Sequence, residues 1–396
     1  MSSKAKQCAK CGACTAVCPA YRAGERESLS ARGRLHLLAR LDPAEASEAF
    51  AEILSKCLLC GACRQVCSRG LDPTSEFIEA RARLTRSAGR HAFLRAITRR
   101  TLATPGLLKR VGEIGLPLLR LLPAESGLRL RLGLAGNALS APTAAQPPAP
   151  RNMAGSLSYF PGCYARHLRR EIATATDEIA RAGGEGLFTP SAQCCCGLAA
   201  ESAGDLATAR RLARTNIEAF AGSETPILTS CASCHSQLRR YPQLLAADPE
   251  WRGRAELFAG RLVEFSTFAL AASGLRFAGP ARSWPIFYQD PCHLRFHARV
   301  MAEPRALLRS VPNLLLRELP QGPQCCGQGG LFHLAQPELA SSIRTELLKA
   351  IAATGATALL TTCTGCLLHL GAGLAEKETP LRTEHLAVFL AGLLSS

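Results

Sequence analysis

The spacing of this chain's cysteines decides what it can fold around. Residues 8–19 read Cys8-Ala9-Lys10-Cys11-Gly12-Ala13-Cys14-Thr15-Ala16-Val17-Cys18-Pro19, and the same C-x2-C-x2-C-x3-C pattern returns as Cys57, Cys60, Cys63 and Cys67, each 49 residues after its counterpart. Two-residue gaps let three thiolates of one loop reach three corners of a cubane iron–sulfur core. The fourth cysteine faces away and serves the other core of a two-cluster unit. The pattern therefore predicts one [4Fe–4S] cluster on Cys8, Cys11, Cys14 and Cys67 and a second on Cys57, Cys60, Cys63 and Cys18. Pro19 closes the first run, and Ser68 stands at the matching place in the second. Structural zinc takes paired C-x2-C knuckles and has no use for a three-plus-one run. Disulfides are disfavoured by the odd total of 19 cysteines and by residues 1–30, which show no apolar stretch behind a basic start. The expectation is a cytoplasmic protein.

A length of 396 residues with 47% hydrophobic content suits two or three ordinary globular domains. The longest apolar stretches, such as Leu386 to Leu394, fall far short of the roughly 20 residues a bilayer span needs. Membrane association is expected to be peripheral, on the inner face. The formal charge of +16 overstates the basicity, because each four-thiolate cubane carries a net charge of about −2. What remains is local: residues 81–131 hold twelve Lys or Arg against Glu113 and Glu125. Apolar residues interleave at helical spacing, among them Phe93, Leu94, Ile97, Leu107, Leu108, Val111, Ile114, Leu118 and Leu119. Such a stretch suits an anionic membrane surface or an acidic partner, or serves as a connector with a solvated basic face. Nucleic acid is not expected as a partner, since neither aromatic interleaving nor a recognised module accompanies the charge.

In chain order, residues 1–80 form the cluster-binding unit. Ser28 or Ser30 offers a helix cap, with helix formers over 31–41 and again over 44–54. That much helix predicts an α-helical ferredoxin rather than the compact hairpin type. A basic helical connector and the proline-rich stretch 141–150 fill 81–155. From Ser156 short apolar strands alternate with helices: 157–160, 227–229, 286–288 and 358–361 each end just before a cysteine. In a parallel α/β sheet ligands gather at the carboxyl ends of strands. The fold class expected is thus α+β and multidomain, an N-terminal α-helical ferredoxin followed by two pseudo-symmetric α/β units at 156–275 and 276–396.

Those two units repeat a second cysteine pattern. Cys163, Cys195, Cys196, Gly197, Cys231 and Cys234 recur as Cys292, Cys325, Cys326, Gly327, Cys363 and Cys366, at offsets of 129 to 132. Each copy offers five thiols where a cubane needs four, and adjacent cysteines cannot both take a relaxed cubane geometry at one iron. Something other than a standard cubane is implied. The glycine after each pair is read as removing bulk where backbone approaches the inorganic core. Cys194 belongs to neither pattern and reads as a spare thiol. His167, His235, His293, His333 and His369 read as supporting or surface groups rather than ligands, one of which is a candidate for proton handling. No phosphate loop, dinucleotide fingerprint or serine triad is present.

Twin ferredoxin runs followed by two CCG repeats resemble the iron–sulfur subunit of membrane-associated glycolate or D-lactate oxidase (dehydrogenase) complexes. Asp290-Pro291-Cys292-His293-Leu294, Glu303-Pro304-Arg305, Cys325-Cys326-Gly327-Gln328-Gly329-Gly330 and Ala353-Thr354-Gly355-Ala356 are similar to that family, which covers nearly the whole chain. The layout also resembles the catalytic subunit of heterodisulfide reductases and the C subunit of anaerobic glycerol-3-phosphate dehydrogenase. The likeness to heterodisulfide reductases, whose non-cubane [4Fe–4S] clusters cleave a disulfide, implies one or two further, non-cubane clusters on the two five-cysteine sets here. Glycolate oxidase subunits often lack part of the last C-x2-C, so an intact Cys363 and Cys366 leans toward the lactate or heterodisulfide branches. With no flavin fold of its own, the chain is expected to take electrons from an FAD subunit that oxidises a 2-hydroxy acid. It would deliver them to quinone or another acceptor.

Overall fold

The computed structural model describes residues 5–84, 92–110, 157–376, 379 and 381–395. The proline-rich stretch 141–150 and most of the connector lie outside them. Among the described residues, 5–84 contain helices and turns but no strand, as an α-helical ferredoxin requires. Of the two candidate caps Ser30 is the one used: its Oγ accepts from the Gly33 N–H at 2.9 Å and starts helix Ala31–Leu38. The second helical stretch is split, because Asp42 caps a 3-10 turn at Pro43–Glu45 and Ser47 caps helix Glu48–Ser55. Asp72 then caps helix Pro73–Arg83. Leu35, Leu38, Phe50, Leu54, Phe77 and Ile78 close a small apolar core from these helices.

The connector contributes helices Ala92–Ala103 and Pro105–Arg110. The first is not free: Ala103 is buried, and Leu102 packs with it against the core of the following unit. No helix among the described residues is long and apolar enough to cross a membrane.

Beyond residue 156 stand two four-stranded sheets, parallel throughout. The first has order β2-β1-β3-β4, with β1 Leu157–Tyr159, β2 Leu187–Phe188, β3 Ile227–Thr229 and β4 Leu262–Glu264. The second has order β6-β5-β7-β8, with β5 Trp284–Tyr288, β6 Leu314–Arg317, β7 Ala358–Thr361 and β8 Arg382–His385. The four strands legible in the sequence are the central ones. β1, β3 and β7 are buried throughout and β5 over its last three residues, so they read as unbroken apolar runs. The edge strands β2, β6 and β8 are less buried: β2 is only Leu-Phe, β6 is Leu-Leu-Leu-Arg with alternate residues exposed, and β8 is Arg-Thr-Glu-His.

The two sheets share one core. Ile179 and Phe265 of the first unit pack with Ile286, Tyr288, Leu386 and Phe389 of the second. At this seam lies Glu264, 3% exposed. Its Oε2 accepts from the Ser266 and Thr267 N–H groups, while Oε1 has no partner among the described residues. Burial raises its pKa from 4.5 to about 7. Over that range the folded chain holds a proton that the unfolded chain releases. The resulting stability is therefore full at the acid end and lost as pH rises through about 7, at most about 3 kcal/mol. Replacing Glu264 by Gln should remove this slope. Urea midpoints of E264Q and wild type would then converge or cross between about pH 5 and about pH 8 by that amount; parallel pH profiles would contradict it.

Candidate functional site

The two ferredoxin runs fold alike. Lys10 and Leu59 both take positive φ, 57° and 56°, and Gly12 and Gly61 follow at 85° and 86°. Left-handed residues one apart turn successive N–H groups to one side of the loop, a concavity that suits an anion. The Leu59 N–H lies 3.4 Å from Cys57 Sγ. After the first run Cys18 directly precedes helix Pro19–Gly24. After the second no helix starts at Ser68; the chain turns at Gly70, φ 65°, and resumes at Pro73.

Cys18, Cys57, Cys60 and Cys63 line one cavity. That is the crosswise set read from the spacing. Of the other set, Cys14 lies in the electrostatic reach of Cys8 and Cys18, Cys11 is exposed, and Cys67 is half-buried. The cavity's chemistry fits an anionic cluster. Arg34, 1% exposed, reaches it and donates to the carbonyls of Ile53 (2.9 Å), Leu29 (2.5 Å) and Lys56 (2.6 Å). Arg81 donates to the carbonyls of Leu54 and Cys57, both at 2.7 Å. Neither arginine pairs with a carboxylate among the described residues. A buried cation without a carboxylate calls for another negative group, and a four-thiolate cluster is one.

In the second half all four strand-end cysteines flank the crevice where chain order reverses. Cys163 and Cys231 follow β1 and β3, and Cys292 and Cys363 follow β5 and β7. Each five-cysteine set is brought together. In the first, thiols make contacts in the order Cys163–Cys195–Cys196–Cys234–Cys231. In the second the order is Cys292–Cys325–Cys326–Cys366–Cys363, with Cys326 and Cys366 sulfurs 3.1 Å apart. The sets then meet, because Cys231 and Cys363 touch. Contacts from Cys234 and Cys363 hold Cys231 well below the usual thiol range, whereas Cys363, beside Cys231, is pushed up to about 12. No three His, Cys, Asp or Glu side chains among the described residues converge on a single metal-ion position.

Gly197 and Gly327 both sit at φ 90°, and this explains the glycine of each pair. A Cβ at Gly327 would come within 2.8 Å of the Ala340 carbonyl oxygen, so the crowding arises from a packed helix. From these positions the Gly197 and Gly327 N–H groups point at Cys195 and Cys325 sulfurs, at 3.5 and 3.4 Å. Cys194 turns away toward the Leu212 carbonyl at 3.6 Å, and burial pushes its thiol to about 12.

Burial brings His235 and His333 to about 4 and His293 and His369 to about 3. These four are neutral at pH 7, so the near-neutral titration expected of such a group is not found in them. His293 Nδ1 is 3.2 Å from Ser233 Oγ, which is also 3.0 Å from Cys363 Sγ. Thr364 Oγ1 lies 3.1 Å from Cys231 Sγ. Each unit thus presents a hydroxyl to the other unit's cysteine. Ser233 and Thr364 were not singled out by the sequence. Neither were Arg166 and Arg295, although both stand three residues after the first cysteine of their set. Each donates to the carbonyl two residues before its cysteine pair, Arg166 to Gln193 (3.0 Å) and Arg295 to Pro323 (2.6 Å). Because hydroxyl donors stabilise thiolate sulfur and raise cluster potentials, Ser233→Ala and Thr364→Val should each lower a potential by on the order of tens of mV. Redox titration followed by EPR reads this, and unchanged potentials in both variants would refute it.

The ferredoxin unit is seated on the second set. Leu58, Cys60 and Ala62 share a core with Phe332, Ala340 and Ile343, and Cys292 and Cys325 pack against it. The charges of Cys325 and Cys292 reach Cys60. Arg81 Nη1 ties the helix 73–83 to the Ser202 carbonyl at 2.7 Å.

A helical two-run cysteine unit joined to paired parallel sheets with thiols at their crevices defines an iron–sulfur protein. Family comparisons agree. A 4Fe-4S dicluster domain matches residues 4–71, and a cysteine-rich domain, CCG, matches twice, at 157–239 and 286–371. Lactate utilization protein A of Geobacillus kaustophilus (strain HTA426) is 30% identical over 234 residues, 59% of this chain and 98% of that one. The Bacillus subtilis (strain 168) protein of the same name is 29% identical over 234 residues, again 98% of its length. The probable glycolate oxidase iron-sulfur subunit of Bacillus subtilis (strain 168) is 32% identical over 241 residues, 60% of this chain but only 54% of that protein. A hypothetical protein from Helicobacter pylori has a crystal structure with a TM-score of 0.56 at 10% identity, covering 87% of this chain and 64% of that one; it speaks to the fold alone. The chain belongs to the CCG-domain iron–sulfur family that contains the lactate utilization A proteins and the glycolate oxidase iron–sulfur subunits.

Proposed function

We propose that the chain is the iron–sulfur electron-transfer subunit of a flavin-linked 2-hydroxyacid dehydrogenase complex, with lactate or glycolate as substrate of an FAD-bearing partner. The observation that carries this reading is the contiguity of the thiol sets: Cys60 lies beside Cys292 and Cys325, and Cys363 touches Cys231. In this reading Cys8, Cys11, Cys14 and Cys67 hold one cubane and Cys57, Cys60, Cys63 and Cys18 the other, while Cys163, Cys195, Cys196, Cys231 and Cys234, and their counterparts from Cys292 to Cys366, hold the CCG clusters. Bound there, the clusters supply one-electron steps to a flavin that carries two electrons. The chain's own residues do the rest. Arg34 and Arg81 fix the backbone before Cys57, Gly197 and Gly327 aim N–H groups at sulfur, and the shared core excludes water. The division into 1–80, 81–155, 156–275 and 276–396 belongs to this reading, as does peripheral attachment through the basic segment 81–131.

The test is anaerobic mixing of the cluster-loaded chain with its flavoprotein partner and a 2-hydroxy acid. The visible cluster absorbance should bleach; no bleaching with lactate or glycolate would sink the proposal. Iron analysis bears on the CCG sites: about twelve to sixteen irons per chain mean that they are occupied, and about eight mean cubanes only. A second reading, a disulfide or heterodisulfide reductase, is favoured by the meeting of the two sets at Cys231 and Cys363. Disulfide turnover with thiol-dependent EPR signals would establish it.

A further inference from the structure

The ferredoxin unit and the second CCG unit meet at a residue that the cysteine assignments leave unused. His297 belongs to the turn His293–Ala298, which follows Cys292 directly and is wound as a π-helix, a conformation that collects at functional sites. The turn packs against helix Ala62–Gln65 of the ferredoxin unit and against helix Ala232–Leu238 of the first CCG unit. From there the His297 ring reaches into the second cysteine run. A Cβ at Gly61 would come within 2.6 Å of His297 Nε2, and the ring meets the Leu59 backbone as well. His297 stands five residues after Cys292, and Gly61 follows Cys60, so one short path joins a thiol of the second set to a thiol of the ferredoxin unit.

Neither counterpart is built this way. In the first cysteine run the glycine matching Gly61 is Gly12, and the ferredoxin unit covers it with its own Arg32, whose Nη1 would lie 2.9 Å from a Cβ there. In the first CCG unit the offset of 129 that relates Cys163 to Cys292 sets Leu168 opposite His297, just after an ordinary α-helix, Gly162–His167. The histidine is present in the unit on which the ferredoxin rests. Its Nε2 is buried and has no partner among the described residues, so packing rather than a hydrogen bond at that atom holds the ring in place. Burial also lowers its pKa, which leaves the ring neutral at pH 7.

We propose that His297 is a positioning residue, a neutral wedge that fixes the Cys60 loop against the Cys292–Cys325 edge. It thereby sets the rate at which an electron crosses from the ferredoxin unit to the second set. This rests on the conduit reading and its cluster assignment. The step is a one-electron exchange in which the ferredoxin cluster is oxidised and the second-set cluster reduced, with no bond made and no proton required; the flavoprotein supplies the electron. Tunnelling falls off steeply with separation, so a small displacement of the loop changes the rate and not the equilibrium.

The test is pulse reduction of the anaerobic, cluster-loaded chain by methyl viologen radical, with the Cys11 loop exposed to receive it. A phase whose rate is independent of protein concentration reports transfer within the chain, and freeze-quench EPR assigns it to the second set. His297→Ala should slow that phase roughly tenfold. His297→Gln, whose amide reaches the place of Nε2, should restore most of it, and Leu168→Ala should leave it unchanged. Amide hydrogen exchange over residues 60–63 should rise in His297→Ala and not in His297→Gln, while iron content and cluster potentials match wild type in all three. A wild-type rate or wild-type exchange in His297→Ala overturns the proposal. So do loss of iron from that variant, a shifted potential, equal slowing by Leu168→Ala, or the absence of a concentration-independent phase in wild type. The conduit reading fails by a different sign, absent bleaching by the flavoprotein and its substrate.

Discussion

Replacement of Arg34 by methionine is expected to cost about 4 kcal/mol of folding stability and to strip the cluster from the cavity at Cys57. Three carbonyls at 53, 29 and 56 lose their donor, each a buried acceptor worth about 1–3 kcal/mol unsatisfied. The cluster loses its buried counter-charge as well. Arg34→Lys should recover only part of this, because an ammonium cannot span three carbonyls fixed to the shape of a guanidinium fork. Urea unfolding of the anaerobic protein gives the first quantity and iron release to a chelator the second. Wild-type behaviour of R34M in both measurements would show that the arginine is neither a strut nor a counter-ion.

Crosswise ligation makes an equally large and more discriminating prediction. Cys18→Ser should remove about four irons per chain, and so should Cys57→Ser. The double variant should remove no more than either single one, since both cysteines are assigned to one core. Cys8→Ser combined with Cys18→Ser should instead remove about eight. If each run held its own cluster, the two double variants would exchange these outcomes.

Much of this was legible in the sequence because cysteine spacing is rigid chemistry. A constant offset announced the first repeat and nearly constant offsets the second, and the apolar runs before Cys163, Cys231, Cys292 and Cys363 announced the central strands. What stayed hidden was set by neighbours distant in the chain. β8 carries no apolar pattern because it is an edge strand held by β7. Arg34 and Arg81 looked like ordinary basic residues of amphipathic helices until helix 48–55 brought its terminal carbonyls to them. The paired-cysteine glycines answer a further demand that the sequence does not display: a φ of 90° at both and, at Gly327, a crowding helix. One of five histidines was a candidate for titrating near neutrality by residue type, and burial in the assembled core overrides this at His235, His293, His333 and His369.

The exchange of hydroxyls between the CCG units carries a consequence for how such a chain can change over time. Ser233 serves Cys363 and Thr364 serves Cys231, the Ala232 N–H donates to the Thr362 carbonyl at 2.9 Å, and His385 Nε2 donates to the Ser230 carbonyl at 2.9 Å. Although the halves look like copies of one ancestor, each is completed by the other. A substitution in one loop is felt at the opposite copy's sulfur, so the two halves must drift as a pair. Neither could be lent to another protein without taking its twin along.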